Sequence, residues 1–583
     1  MASPASTDAT EIEWQFDALD LRPVERFIAQ HAARHMTPTL VATGAKRLSD
    51  VYFDTADWRI GRAGCVVRVR RVGQKFTATL KDLVEGDEGL RRRLELNEPL
   101  VGPALPRTGI GPVTRRVLAL AGSHVPRPIL EVRTRRRAFA MTLDDEEVGE
   151  LALDETTIAV PGQRQPLRLL RVEVEVRAEA VNRLEGFVAR LREECRLRPA
   201  ALSKFEAGLL AAGAEIPGPV ELGPSAIDEH STLAEIAFAV LRRDAAAVFA
   251  HEPGTRLGED PEELHQMRVA TRRLRAALAM FADVLPLRAG HLLAEVGWLA
   301  RELGEVRDLD VQLGQTREWR QECAAADRAG LAELSESLEA SQQRARIALL
   351  AALDSRRYDR LVAALVQMLT ASPSRRSARC RTLGVVGLPE LVAAHQRACA
   401  KAAARARRSG VAADFHRLRI RCKRLRYALE FSADCYQGAT KRFTKVLAAL
   451  QGELGDMQDA EVAAEQLRAI ALSGSGELSL EAVFAVGGIA ERYRRESERL
   501  LLRLGREVRA VNGPEWRRLE AVLQRRRGAA LAALPPLRVR PAPLPASGAA
   551  AAPLPAVVED QGSEAVPQLE LLAAPDVRPT AGS

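Results

Sequence analysis

The sequence predicts an α+β multidomain chain: an N-terminal antiparallel β region, a C-terminal all-α region built from a duplicated helical unit, and a Pro/Ala-rich tail. Three observations predict it. Residues from about 10 to 215 alternate apolar and charged side chains in period two, as in Cys65-Val-Val-Arg-Val-Arg70 and Arg171-Val-Glu-Val-Glu-Val176. Residues from about 230 to 530 are rich in Ala, Leu, Arg and Glu at helical spacing. Within them one phrase is written twice. His265-Gln-Met-Arg268-Val-Ala-Thr-Arg272-Arg273-Leu-Arg275 returns as His416-Arg-Leu-Arg419-Ile-Arg-Cys-Lys423-Arg424-Leu-Arg426, and Leu303-Gly304-Glu305-Val-Arg-Asp308 returns as Leu454-Gly455-Asp456-Met-Gln-Asp459. His265 to His416 and Gly304 to Gly455 both span 151 positions, so the copies keep one register.

A chain of 583 residues is too long for one core. The texture divides it into a flexible start (1–9), a β domain (10–215), a linker (216–229) marked by Ile216-Pro-Gly-Pro219, a helical domain (230–533, pseudo-repeats about 230–380 and 385–533) and a tail (534–583). The tail is too rich in Pro and Ala to bury much surface and is expected to be disordered. The net charge of +8 is modest, but Arg clusters beside acidic stretches make the local fields decisive. Aromatics at 4% argue against base stacking as a binding mode. Seven scattered cysteines without a CxxC pair favour neither a disulfide framework nor a zinc site. Asp8, Glu11 and Glu13 stand where a signal peptide would carry positive charge, and no uncharged apolar run suits a bilayer, so the expectation is a reduced, cytoplasmic, soluble protein.

In the first β segment Glu11, Glu13 and Gln15 alternate with Ile12, Trp14 and Phe16. Arg68 and Arg70 alternate with Val67 and Val69; Lys75, Thr77, Thr79 and Lys81 oppose Phe76, Ala78 and Leu80; Glu173 and Glu175 oppose Val172, Val174 and Val176. Each strand therefore has one charged and one apolar face. Two architectures fit: a sheet with its charged face solvated, or a closed barrel with that face inward. The barrel would make a lumen offering Arg/Lys to phosphates and carboxylates to a divalent metal.

Glu11-Ile-Glu13-Trp-Gln15 resembles the ExExK opening of the CYTH family, the triphosphate tunnel enzymes. The likeness continues in the family's order through Val51-Tyr-Phe-Asp-Thr55, Arg68-Val-Arg70, Thr79-Leu-Lys81, Arg93-Leu-Glu95, Arg135-Arg-Arg137, Glu150-Leu-Ala-Leu-Asp154, Glu173-Val-Glu175 and Leu202-Ser-Lys204. It implies an eight-stranded antiparallel tunnel that binds a linear triphosphate with Mg²⁺ or Mn²⁺. By the same resemblance Glu11, Glu13, Gln15 and Lys81 form the catalytic set. Arg68, Arg70, Lys81, Arg93, Arg135, Arg137 and Lys204 hold phosphates, and Glu11, Glu13, Glu95, Asp154, Glu173 and Glu175 hold metal. One residue departs from the pattern: the motif's lysine is Gln15, which donates a hydrogen bond but brings no charge to a reacting phosphate. A slower enzyme, a shifted substrate choice and a binding-only tunnel all follow as outcomes.

In the helical region Asp260 before Pro261 is a helix start, and Asp414 is placed to cap the second copy. Leu264, Met267, Thr271, Leu274, Leu278 and Phe281 form a core stripe, repeated as Phe415, Leu418, Cys422, Leu425 and Leu429. About 100° round the helix lie His265, Arg268, Arg272 and Arg275, matched by His416, Arg419, Lys423 and Arg426. No Asp or Glu occurs in 265–275 or 416–426, so these like charges ask for an anion or for carboxylates from other helices. The doubled HxxRxxx[RK]RLR phrase with its LG[ED] follower resembles the CHAD domain. That resemblance implies two pseudo-symmetric four-helix halves binding inorganic polyphosphate through His265, Arg268, Arg272, Arg273, Arg275, His416, Arg419, Lys423, Arg424 and Arg426. The combined expectation is a metal-dependent inorganic triphosphatase whose helical domain binds polyphosphate. Its alternatives are a non-catalytic polyphosphate binder and a tunnel enzyme acting on an organic triphosphate. Nucleic acid is disfavoured by the scarce aromatics.

Overall fold

Eight antiparallel strands close into a barrel in the computed structural model, which describes residues 9–83, 89–160, 163–322, 325–473 and 478–533. The tail (534–583), residues 1–8 and Cys323 lie outside the described residues. The strands are β1 (Ala9–Asp17), β2 (Thr39–Asp54), β3 (Cys65–Val72), β4 (Lys75–Asp82), β5 (Leu90–Leu100), β6 (Arg127–Leu143), β7 (Glu146–Ile158) and β8 (Leu167–Val176). Their order is β5-β4-β3-β2-β6-β7-β8-β1, and pairing of β1 with β5 closes the ring. Of the two architectures open to the alternating strands, the structure takes the barrel with charges inward.

The outward apolar faces need cover, and short helices supply it. These are α1 (Arg22–Ala33), α2 (Arg59–Arg62), α3 (Pro112–Ala121), α4 (Val181–Glu194) and α5 (Lys204–Ala211). Ile12, Trp14 and Phe16 of β1 and Val172 and Val174 of β8 pack on Val24 and Phe27 of α1 and Leu184, Phe187 and Leu191 of α4. Val67 and Val69 of β3 and Leu80 of β4 pack on Val113 and Val117 of α3. α5 is fixed by a reciprocal capping box between Ser203 and Glu206. That cap sets Lys204, the first helical residue, and Phe205, which stacks on Tyr52 at 4.8 Å, against the lumen.

The helical region repeats itself helix by helix. The first half holds α6 (Leu233–Leu257), α7 (Pro261–Met280), α8 (Ala289–Glu322) and α9 (Arg328–Leu353), followed by α10 (Arg356–Leu369) and α11 (Ala378–Arg381). The second holds α12 (Gly384–Ser409), α13 (Ala412–Ser432), α14 (Lys441–Ser473) and α15 (Leu480–Glu507), followed by α16 (Pro514–Ala533). Leu233 to Gly384 and Pro261 to Ala412 repeat the 151-residue spacing of the sequence phrase. Both core stripes are buried in one shared cluster. Asp260 caps α7 by accepting from the Glu262 amide at 2.8 Å. Asp414 does not cap α13: Val411 holds that position, and Asp414 lies inside the first turn, paired with Arg405 at 2.8 Å and with Arg417. There its charge still favours the helix N-terminus.

Residues 216–229 carry no helix or strand, yet they are docked: Leu222 is buried in the helical core, and Arg242 donates to the Pro224 carbonyl at 2.8 Å. Barrel and helices also meet directly. Leu257 of α6 joins the barrel cluster around Val67 and Val113, and Arg116 donates to Glu259 at 2.8 Å. Gly122, at φ +57°, sits where a Cβ would come within 2.2 Å of an Asp354 carboxylate oxygen, so this approach of α3 to the helices needs glycine. Among the described residues no helix is long and apolar enough to cross a membrane, and the six cysteines are free and buried.

Candidate active site and anion-binding groove

The barrel lumen encloses a cavity of about 100 Å³ walled by charged side chains. β1 sends Glu11, Glu13 and Gln15 inward, and register does the rest: Glu11 lies opposite Arg93, and Glu95 opposite Lys81. Lys81 donates to Glu11 at 2.6 and 2.7 Å and pairs with Glu95 at 2.5 Å. Arg93 donates to Glu11 at 2.9 Å and also to Glu13. Gln15 donates its amide to Glu13 at 2.7 Å, while its own carbonyl oxygen is buried without a partner.

A second cluster centres on Asp154, which is 0% exposed and accepts from Arg136 at 2.9 and 2.7 Å and from Lys204. Glu173 accepts from Lys204 at 2.8 Å and from Arg136. Asp50 forms a third, accepting twice from Arg70 at 2.8 Å and from Arg68 at 3.4 Å.

Most of the predicted lumen residues meet here, with one correction. Arg135 and Arg137 lie on the outer face, where Arg137 pairs with Glu25 at 2.6 Å; the arginine of that run inside the lumen is Arg136, opposite Asp154. Alternation explains it, since neighbours on a strand face opposite ways. Asp50 was also missed; its signal was its register opposite Arg70 on β3.

The three clusters differ in charge balance. Burial would push the Asp50 carboxyl up, but Arg68 and Arg70 bring it down to about 2. Glu173 is likewise held well below the carboxylate range, against burial, by Lys204 and Arg136. Glu11 goes the other way: burial, with Glu13 and Glu95 adding to it against the pull of Lys81, raises it to about 7. Glu175 is raised too, by burial within the barrel wall and then by Glu95 and Glu13, although its side chain is partly open to the lumen. Carboxylates are thus in surplus around Glu11, Glu13, Glu95 and Glu175. Such a set of hard oxygen donors fits a divalent cation. Among the described residues no three acidic, His or Cys side chains are gathered at ligand spacing, since Lys81 and Arg93 hold Glu11, Glu13 and Glu95. Asp154 and Glu173, also expected as ligands, are taken by Arg136 and Lys204.

In the helical region α7 and α13 bring the two basic ridges together. The field on Lys423 comes from Arg272, Arg419 and Arg268, so residues of both copies share one cluster. Burial and those three guanidiniums depress the Lys423 ammonium to about 7. Arg268 reaches Asp308 at 3.1 Å and Arg419 reaches Asp459 at 3.7 Å. Among the described residues Arg272, Arg275, Lys423 and Arg424 form no ion pair. Arg426 pairs with Glu430 at 3.1 Å. Arg273 leaves the ridge: one position round from Arg272, it pairs with Asp244 at 3.0 Å and with Glu430, and lies over Phe431. His395 stands 151 positions after Asp244, so the copy of that pair, Arg424, faces an imidazole held below its usual range by burial and by Arg424 and Arg421. His416 bonds Gln458, whereas the ring nitrogen Nδ1 of His265 is buried without a partner.

The CYTH domain family matches residues 27–209 and the CHAD domain family matches residues 239–468. Among solved structures the chain is similar to the CHAD domain from the plant Ricinus communis, at 31% identity and a TM-score of 0.41 over 50% of this chain and 96% of that one. It is similar to PptA from Streptomyces chartreusis, at 18% identity and a TM-score of 0.40 over 48% of this chain and 99% of that one. Over the barrel it is similar to HpAC1 from Hippeastrum, for which a dominant triphosphatase activity is described, at 16% identity and a TM-score of 0.26 over 36% of this chain and 98% of that one. No curated protein matches the chain.

Proposed function

From a chain that joins an N-terminal CYTH domain to a C-terminal CHAD domain, we propose a divalent-metal-dependent inorganic triphosphatase that cleaves tripolyphosphate to pyrophosphate and phosphate and holds polyphosphate on its helices. The CYTH family is one of tunnel enzymes, generally dependent on divalent metal, whose members include triphosphatases and adenylate cyclases. The observation that carries the reading is the lumen itself: six cations, Arg68, Arg70, Lys81, Arg93, Arg136 and Lys204, share one closed barrel with the carboxylates Glu11, Glu13, Glu95, Glu173 and Glu175 and with Asp50 and Asp154 paired behind them. Phosphoryl transfer asks for this combination, because it needs charge neutralisation and alignment more than covalent chemistry. Glu11, Glu13, Glu95 and Glu175 would hold Mg²⁺ or Mn²⁺, which when bound lowers the charge on phosphate oxygens. The cations would release their carboxylates to take phosphate oxygens. Gln15 would orient Glu13 through its amide, and its unpartnered carbonyl oxygen is free to accept from water.

In the helical domain the ridge residues without ion pairs, Arg272, Arg275 and Lys423, and Arg424 beside the ridge would bind the phosphate chain together with Arg268, Arg419, Arg426, His265 and His416. Arg273 is left out, being neutralised by Asp244 and Glu430.

One observation favours a second reading, a barrel that binds without cutting. Gln15 is neutral and already engaged by Glu13, so the tunnel lacks the motif's lysine. Phosphate release from tripolyphosphate with Mg²⁺ or Mn²⁺ decides between them, comparing the natural chain with Glu13→Ala and Gln15→Lys. Release well above the Glu13→Ala background supports the enzyme; none above it, with tight polyphosphate binding retained, sinks it. Release from ATP or thiamine triphosphate but not from tripolyphosphate would move the substrate to an organic triphosphate.

A further inference from the structure

Arg135, turned away from the lumen, leads to a second cavity, a cleft of about 460 Å³ on the outer face of the barrel. Strand register builds it. Arg47 of β2 lies directly opposite Arg135 of β6, and in the next row Ser49 stands between Arg71 of β3 and Arg133 of β6. Thr157 of β7 continues that row. Four guanidiniums therefore cover one patch of sheet, at positions where directly opposed like charges destabilise strand pairing.

The carboxylates nearby do not cancel them. Glu131 pairs with Arg133 at 2.9 Å, and Glu155, set opposite Arg135 by the strand register, has its carboxylate 3.8 Å from Arg137. Among the described residues Arg47, Arg71 and Arg135 form no ion pair with any carboxylate. A solvated sheet face ordinarily mixes its charges, and elsewhere this barrel covers its outer face with helices; here it is left open and basic. Arg71 is also held in place, donating to the Gly73 carbonyl at 2.9 Å and lying 5.9 Å over the Phe76 ring.

We infer that this cleft is a second anion site, separate from the lumen, which binds a linear chain of condensed phosphate along the two arginine rows. Guanidiniums suit phosphate oxygens by their planar fork. Among the described residues no aromatic ring lines the cleft, and Phe76, beneath Arg71, offers no platform for stacked bases, so phosphate groups rather than a nucleic acid are the ligand. The site requires no turnover in the lumen.

The test uses the full chain with Arg268→Ala and Arg419→Ala already in place, so that the helical groove is weakened. The probes are medium-length inorganic polyphosphate and a mixed-sequence single-stranded oligonucleotide. Adding Arg47→Gln with Arg135→Gln should weaken polyphosphate binding by about tenfold and flatten the plot of log K against log salt by roughly 0.7 for each phosphate no longer neutralised. Arg47→Lys with Arg135→Lys should keep the slope. If the Gln pair fails to fold, Arg71→Gln at its exposed position reads the same site. Unchanged affinity and slope would overturn the inference. So would a loss confined to the oligonucleotide, which would make this a nucleic-acid surface. These are binding measurements without phosphate release, so failure of the cleft and failure of the lumen chemistry are read separately.

Discussion

The barrel lumen and the helical groove are both rich in arginine and lysine, but they treat the charge in opposite ways. Each of the six cations lining the cavity has a carboxylate: Asp50 for Arg68 and Arg70, Glu11 for Lys81 and Arg93, Asp154 for Arg136 and Lys204. In the groove Arg272 and Lys423 face other cations, and among the described residues the ridge arginines that find acids are Arg268 with Asp308, Arg419 with Asp459 and Arg426 with Glu430. A paired lumen stays folded without a ligand and can exchange partners when a metal and phosphates enter together. An unpaired groove stores repulsion that a polyanion alone relieves. On the proposed reading the lumen acts on a small charged substrate and the groove holds a long one.

The largest expected effect separates the two. Glu13→Ala removes a carboxylate that both Arg93 and Gln15 engage. It should cut tripolyphosphate turnover by on the order of a hundredfold or more while leaving polyphosphate affinity as it was. Equal losses in both assays would mean that the variant had damaged the whole fold and that the comparison does not hold. Next in size, Arg268→Ala with Arg419→Ala should weaken polyphosphate binding by about tenfold and reduce the salt slope by roughly 0.7 per phosphate no longer neutralised, with turnover of tripolyphosphate unaffected. A slope that does not move would remove these residues from the groove.

How much of this was legible depended on whether a feature is local. The alternation of Glu11, Glu13 and Gln15 with Ile12, Trp14 and Phe16 announced two faces, and the 151-residue repeat announced two helical halves. Which face turns inward was not local: it follows from β1 pairing with β5 to close the ring. The run Arg135-Arg136-Arg137 shows the limit most clearly. A shift of one residue exchanges the two faces of a strand, and only the pairing of Arg136 with Asp154 on β7 tells which arginine enters the lumen. The surroundings of Arg273 were not local either, because its partners Asp244 and Glu430 come from α6 and from α13. Asp414 failed more narrowly: the repeat register puts Val411, not Asp414, at the cap position of Asp260.

The finest test of the contrast is in pH. Lys423 is depressed to about 7 by burial and by Arg272, Arg419 and Arg268, against the opposing pull of Asp459. A polyanion bound across the groove would offset those neighbours and return the ammonium toward its ordinary range, about 10.4. Below pH 7 the lysine is charged whether or not the chain is bound, so affinity there should be flat in this group. Above pH 7 the free protein has lost the proton and the complex has regained it, so binding takes up a proton and weakens as pH rises, by at most about tenfold per pH unit for one group. Calorimetry at pH 8 in buffers of different ionisation enthalpy should register that uptake, and Lys423→Arg should abolish it while keeping the affinity high. Uptake that persists in Lys423→Arg would overturn the assignment of the proton to this lysine. When tripolyphosphate enters the lumen, Arg68 and Arg70 contribute no such uptake, since a guanidinium keeps its proton, and the linked group there is Glu11, raised to about 7.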